Sequence, residues 1–371
     1  MDRKMVILAV AVAAAVVLAG VATALYLDRG SDGDSVGYVT MAPSLMEGWL
    51  AANHSDAYIA WEPYVSSSVV AGTGRVIMWT NEIMPNHPCC VVTVWEDFLD
   101  RADGQDLTVR FLKAHIEANR WIADALADEQ SANYTLLLEM SADFTLRSPA
   151  VVEEGLRHVE YGYEMDENFL SALKQFTDMY VETNIISNDT LADLGFDNVS
   201  QFIDDYVDES FLAVADGVES SSTILNPADE DAIRLGYLSG DLHQLAQYVA
   251  QNKTVGGGEK SLFEVYGLNV DPLTPYANGG ALMDGFSLGD IDIGYLGAPP
   301  AIQKHANLDV AVRIIAQANS EGSGIVVHAD SDIHTLEDLV GRVIATPGET
   351  TIQHLLLKIA LSRAGIPFVK A

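Results

Sequence analysis

Four stretches of this chain share one design: a short apolar strand, a turn of small residues or proline, and the start of a helix. They read RLGYLSGD (234–241), IDIGYLGAPP (291–300), RVIATPGE (342–349) and AYIAWEP (57–63). Each sets the unpaired N–H groups of a helix N-terminus at the carboxyl end of a strand. Open α/β sheets hold ligands at that edge, and helix N-termini favour anionic or strongly polar groups. The chemistry predicted is recognition of a small solute by backbone donors, with no catalytic group required.

The side chains at these turns are the candidate ligand-binding residues. Around the first lie Tyr237, Ser239, Asp241 and His243. Ser and Asp are good helix caps and Gly240 permits close approach, so this turn either binds solute or only caps a helix. His243 either donates to a ligand oxygen or packs. At the second turn, Gly297 and Ala298 leave room for a ligand, and Pro299 and Pro300 fill a first helical turn where a missing N–H costs nothing. Asn319, Glu321 and Ser323 face a cleft or form a surface turn. Thr346, Gly348, Thr350 and Thr351 cluster hydroxyls and backbone donors at a helix start, the clearest anion-type candidate, while Glu349 there complements the helix dipole. Trp61, Glu62 and Tyr64 add an aromatic wall and one carboxylate; Trp61 stacks on a flat ligand or belongs to the core. Asn86 and His87 stand between the stiffening Pro85 and Pro88. No turn carries Lys or Arg at its tip, whereas Asp241, Glu62, Glu321 and Glu349 are near. A zwitterionic aminosulfonate or a nitrogen heterocycle suits such turns better than a bare anion such as nitrate.

Cys89 and Cys90 are the only cysteines, which is no disulfide framework. A zinc site needs further ligands, and in sequence only His87 is close. The pair is read as two small apolar side chains at a strand start, with a vicinal disulfide as the alternative. No P-loop, zinc spacing or Ser/His/Asp set occurs. The expectation is a protein that is not an enzyme, with no metal and no cofactor.

The 371 residues suffice for two domains, and 49% are hydrophobic, enough for sizeable cores. Acidic residues number 53 against 20 basic, a net charge of -33. Such a surface repels nucleic acid, keeps the chain soluble and fits salty surroundings. Residues 5–27 form an apolar run long enough to span a membrane, with Arg3 and Lys4 before it and Asp28, Asp32 and Asp34 after it. An uncleaved anchor is preferred to a cleaved signal, and either exports the remainder.

Residues 28–35 read as a linker, 36–84 as strands and helices, and 85–215 as mainly helical after a strand at 89–95. Residues 216–231 are polar and serine-rich, an internal linker. From 232 onward strand and helix alternate, through a short helix at 332–340 and a longer one at 352–363, which implies a mainly parallel sheet covered on both faces.

The second block carries GYLSGDLHQLA, GLNVDP, NGGALMDGFSLGDIDIGYLGAPPAI, NSEGSGIVV and DSDIHTLEDLVGRVIATPGETTIQHLLLKIAL; the first carries MAPSLMEGWLAANHSDAYIAWEPY and NHPCCVVTV. On these motifs the chain resembles substrate-binding proteins of ABC importers for nitrate, sulfonate, taurine and thiamine precursors. In that family the second block comes first, so the order here resembles a circular permutation. The resemblance implies an α/β, two-lobed periplasmic-binding-protein-like (type II) fold with a hinge, added to an N-terminal transmembrane helix. One lobe would comprise 85–215 and 232–327, the other 36–84 and 328–371, with crossings near 84–90 and 324–328 and the new ends close in space. It also implies a solute, an ABC permease and an ATPase as partners, an extracytoplasmic location and attachment to the membrane. The alternatives are a solute sensor and an enzyme similar to thiamine-pyrimidine synthases, whose cysteine-rich motif is only faintly echoed by Cys89-Cys90.

Overall fold

The computed structural model describes residues 33–371 apart from residue 274. The expected membrane segment lies outside the described residues, among which no helix is long and apolar enough to cross a membrane.

Along the chain run β1 (Val36–Thr40), α1 (Pro43–Ala51), β2 (Ala57–Trp61), α2 (Tyr64–Val70), β3 (Gly74–Trp79) and β4 (Cys90–Trp95). A helical stretch follows, with α3 (Gly104–Ala127), α4 (Ala132–Thr145), α5 (Pro149–Leu156), the short β5 (Val159–Tyr161), α6 (Glu167–Glu182) and α7 (Val199–Tyr206). Then come β6 (Ile233–Gly236), α8 (Leu245–Gln251), β7 (Val270–Pro272), α9 (Gly279–Ser287), β8 (Ile293–Gly297), α10 (Ala298–Leu308) and β9 (Val312–Gln317). The chain ends with β10 (Asn319–Glu321), β11 (Ser323–His328), β12 (Val343–Thr346), α11 (Ile352–Arg363) and β13 (Phe368–Lys370).

Local chemistry sets the helix starts. Ser131, Asp166 and Asn278 each cap a helix by accepting a backbone N–H two or three residues inside it, and proline occupies the first turn of α1, α5 and α10. In α3, Leu107, Phe111 and Leu112, then Ala114, Ile116 and Ala118, are buried, the spacing of a helix that lays one wide face on a core. The strands AYIAW and CVVTVW are buried nearly throughout, as sheets covered on both faces require.

The strands form two main sheets. One has the order β13-β1-β12-β2-β11-β3, the other β7-β6-β8-β4-β9. In each, a single strand runs against the rest in the next-to-last place: β11 is antiparallel to β2 and β3, and β4 to β8 and β9. Both are strands that the chain enters directly after passing from one sheet to the other. The passages run side by side: Asn319 accepts a bond from Cys90 N at 3.0 Å, and Glu321 N donates to His87 O at 3.1 Å. In the six-stranded sheet, strands from the first third of the chain alternate with strands from its last fifty residues at every position. The two ends of the described chain therefore meet: Val36 pairs with Phe368, and Ala371 N donates to Tyr38 O at 2.9 Å.

Two expectations change. Residues 323–327 belong to the six-stranded sheet as part of β11, so the second crossing falls at 318–322 and not at 324–328. The short helix expected at 332–340 is only a 3-10 turn at Glu337–Leu339, because the Asp338 carboxylate accepts from the N–H groups of His334 and Thr335 and folds the segment into a turn. The polar stretch 216–231 is tied down: buried Asn226 donates to Asp231 O and Asn269 O and accepts from Asn269 N.

One ion pair ties β6 to the start of β8 in the five-stranded sheet. Asp292, just before β8, is 2% exposed and accepts from Arg234 N, Nε and Nη2 at 2.8, 3.0 and 2.6 Å. Removing such a buried carboxylate leaves a backbone donor and a guanidinium unpaired. Asp292→Ala is expected to lower unfolding free energy by about 3 kcal/mol in urea titrations, and Asp292→Asn by less.

Candidate functional site

The carboxyl ends of β1, β12 and β2 point toward those of β6 and β8 across a cleft of about 320 Å³. The six-stranded half contributes Thr40 to Pro43 after β1, Trp61 at the end of β2, Pro347 after β12, and Thr351 to Gln353 at the start of α11. The five-stranded half contributes Leu238, Asp241 and His243 after β6, Asn278 and Gly279 at the start of α9, Gly297 and Pro300 at the start of α10, and the Cys89-Cys90 pair. Helices α1, α9, α10 and α11 all begin at this cleft. No Lys or Arg is among its lining residues.

Of the residues expected at the site, the structure brings Trp61, Asp241, His243, Gly297 and Thr351 to the cleft wall. Others stand behind it as supports. Asn319 holds Cys90 N, Ser323 Oγ accepts from Gln353 Nε2 at 2.9 Å, Thr346 Oγ1 lies 3.1 Å from His354 Nδ1, and Ala298 N donates to Cys89 O at 2.9 Å. The remainder do not line the cleft. His87 is fully buried, with Nε2 2.9 Å from Thr80 Oγ1. Tyr64 packs against the Trp61 ring and under the Arg147 guanidinium, and Tyr237 lies beside Phe144. Ser239 N is used by Tyr276 O, and Gly348 O and Thr350 O accept bonds from Thr351 and Tyr180. Asn86 and Glu321 bond to each other, Asn86 N to Glu321 Oε1 at 2.9 Å, and shape the crossings with left-handed backbones.

Glu62 is the largest departure from expectation. It is completely buried behind Trp61, with its carboxylate accepting from Ser66 N and Oγ at 3.0 and 2.8 Å. Burial pushes its pKa up from 4.5 to about 7, against the pull of those two bonds. Its backbone links the two halves, since Leu242 N donates to Glu62 O and Glu62 N to Gly322 O.

Cys89 and Cys90 are buried at the start of β4, as expected, but they also meet a polar partner. Both are free, which also removes the disulfide alternative here, and both face the cleft. The partner they meet is His243, which lies 154 residues away in sequence, with Nδ1 3.3 Å from Cys89 Sγ. The other ring nitrogen, Nε2, lies 3.0 Å from the carbonyl of Gly322, which can only accept, so Nε2 carries hydrogen. Asp241 Oδ1 is 3.4 Å from Nδ1 and accepts from His243 N at 3.1 Å, and Asp241 Oδ2 accepts from Gln244 Nε2 at 3.2 Å. The Cys90 thiol, donating to Cys89, and the His243 ring beside it hold Cys89 well below the usual thiol range in spite of burial. Burial works to lower the His243 pKa, but Cys89 and Asp241 overcome it and push it up to about 9. Burial raises Asp241 to about 6. The opposite shifts of Cys89 and His243 share one cause: an anionic sulfur and a cationic ring favour each other when placed side by side.

Two groups escaped sequence reasoning. VTMAPSL at 39–45 is a fifth copy of the strand, proline turn and helix design, visible in the sequence but not counted. The Cys–His contact had no local signal, because chain topology alone brings residue 243 to residue 89.

Two family matches bear on this geometry. Residues 8–136 match the NMT1-like family, and residues 262–370 match the family described as ABC transporter, phosphonate, periplasmic substrate-binding protein. Both support an ABC-transporter substrate-binding protein. No curated protein matches the chain.

Two outcomes test the geometry. Gly322 has φ +74, and a Cβ there would stand 2.2 Å from His243 Nε2. Gly322→Ala is expected to cost about 2 kcal/mol or more of stability in denaturant unfolding, since either the backbone or the histidine must move. The folded chain keeps the Glu62 proton up to about pH 7, whereas the unfolded chain releases it near 4.5. The stability this group supplies is thus full below pH 4.5 and lost as pH rises through 7. Glu62→Gln, which mimics the protonated form and can still bond Ser66, is expected to match the wild type near pH 4.5 and to exceed it by about 2–3 kcal/mol at pH 8 in paired unfolding curves.

Proposed function

We propose that this chain is the extracytoplasmic solute receptor of an ABC importer, holding a small polar solute in the cleft between two hinged lobes. The observation that carries the reading is the convergence of four helix N-termini, two from each half, on one cleft at the carboxyl ends of both sheets. Two adjacent, antiparallel passages between the sheets are the arrangement that lets such halves close about a hinge. The partners this implies are a permease and its ATPase.

The solute is a zwitterionic aminosulfonate of the taurine kind or a nitrogen heterocycle. Helix ends supply donors for an anionic or strongly polar head, Asp241 supplies an acceptor for an amine or ring N–H, and Trp61 offers a face for a flat or cationic part. The absence of Lys and Arg from the lining disfavours a bare anion. The lobes comprise, to within the shifted crossing, residues 36–84 with 323–371 and residues 85–215 with 232–322. We infer that their order is a circular permutation of the resembled family, a reading supported by the neighbouring positions of β1 and β13.

A second reading, an enzyme similar to thiamine-pyrimidine synthases, is favoured by one observation, the Cys89–His243 contact on the cleft wall. A pyridoxal phosphate absorption in the purified protein would support it.

Isothermal titration with taurine, alkanesulfonates, an alkylphosphonate, hydroxymethylpyrimidine and nitrate tests the proposal. Saturable binding of taurine, an alkanesulfonate or the pyrimidine, weakened at least tenfold by Trp61→Ala, is the expected result. Tight nitrate binding would overturn the solute class, and no binding of any of these would overturn the receptor reading for them.

A further inference from the structure

We propose that Cys89, Cys90 and His243 form a binding site for a soft or borderline transition-metal ion of the Zn²⁺ class in the wall of the cleft. Their two Sγ atoms and one ring nitrogen all lie within 4.8 Å of one another, and all three residues are buried. Ligands of one tetrahedral ion, at roughly 2.3 Å for sulfur and 2.0 Å for nitrogen, stand about 3.5–4 Å apart, so the three atoms need only small shifts to share an ion.

The surroundings suit that use. His243 Nε2 is committed to Gly322 O at 3.0 Å, which leaves Nδ1, on the side of the sulfurs, as the nitrogen whose lone pair can reach a metal. A backbone carbonyl holding the far nitrogen is how metal-bound imidazoles are commonly oriented. Both thiols are free. Asp241 sits beside two of the three ligands, 3.4 Å from His243 Nδ1 and 3.9 Å from Cys90 Sγ, as a carboxylate that steadies them. Asn319 pins the backbone of both cysteines, its carbonyl accepting from Cys89 N and its side chain from Cys90 N.

Two thiolates and one imidazole select against Mg²⁺ and Ca²⁺, which take oxygen, and for d-block ions. Binding displaces any protons held by the two sulfurs and by Nδ1, as metal binding to thiol and imidazole ligands does. Because all three residues line the cleft, the fourth coordination position opens toward the solute space and not into protein. A site of this kind holds whether or not the chain serves an importer.

The test is a titration of the reduced protein with Co²⁺ under anaerobic conditions. One equivalent is expected to produce a sulfur-to-cobalt charge-transfer absorption and the visible bands of a tetrahedral ion, both removed by added Zn²⁺. The double variant Cys89→Ser and Cys90→Ser is expected to lose the charge-transfer band while its circular dichroism is unchanged, and His243→Gln to weaken Co²⁺ binding at least tenfold. If the double variant does not fold, Cys90→Ser alone decides: a charge-transfer band reduced by about half supports the site, and an unchanged one overturns it. Absence of the band at one equivalent in folded, reduced wild type overturns the proposal. Solute titrations with and without a chelator report separately on the receptor reading.

Discussion

The imidazole of His243 is bonded on both sides, and everything around the cleft depends on it. One nitrogen meets Cys89, in the passage that leads into β4, and the other meets Gly322, in the passage that leads into β11. Gly322 O also accepts from Glu62 N, so a single carbonyl joins the five-stranded half, the six-stranded half and the crossing between them. A ring held this way has no freedom to turn, and buried polar groups satisfied on every side specify one arrangement more sharply than apolar packing does. The backbone opposite must lack a side chain for the ring to fit, which is why glycine stands at 322.

The chain carries a net charge of -33, yet its cleft is neither strongly acidic nor basic in its side chains. Its polarity comes from oriented peptide groups at helix starts, supplemented by the Cys89–His243 pair and Asp241. Fixed dipoles keep their direction when solvent leaves, so they hold a polar guest without the desolvation cost of a long cationic side chain. Among the described residues, the acidic side chains other than Glu62, Asp241 and Asp292 are not buried, and they act on solubility and not on recognition.

Much of this was legible in the residues. The strand, turn and helix repeats named two of the four helix starts that line the cleft, α10 and α11, and Trp61, Asp241, His243, Gly297 and Thr351 were readable because caps and small residues mark such ends locally. Alternation of strand and helix after residue 232 gave the α/β class. Glu62 was not readable, because nothing next to it in sequence reveals that Pro63 and Ser66 fold it inward behind Trp61. Nor was the use of the cysteines, which depends on a partner supplied by a turn in the opposite half of the sequence. Local rules find caps and strands; they carry no information about which distant loops a crossing will bring together.

The interleaving of early and late strands in the six-stranded sheet has a consequence for how the protein is made. No strand of that sheet has a neighbour from its own end of the chain; β1 lies between β12 and β13, and β2 between β12 and β11. Every seam therefore closes a loop of roughly 250 to 330 residues, which makes formation slow and of high contact order. A nascent chain emerging N-terminus first must carry β1, β2 and β3 unpaired until synthesis is nearly complete, with their edges open to misassociation. A polypeptide handled as an unfolded thread until its last strand is available meets that constraint; one folding piecemeal on the ribosome does not.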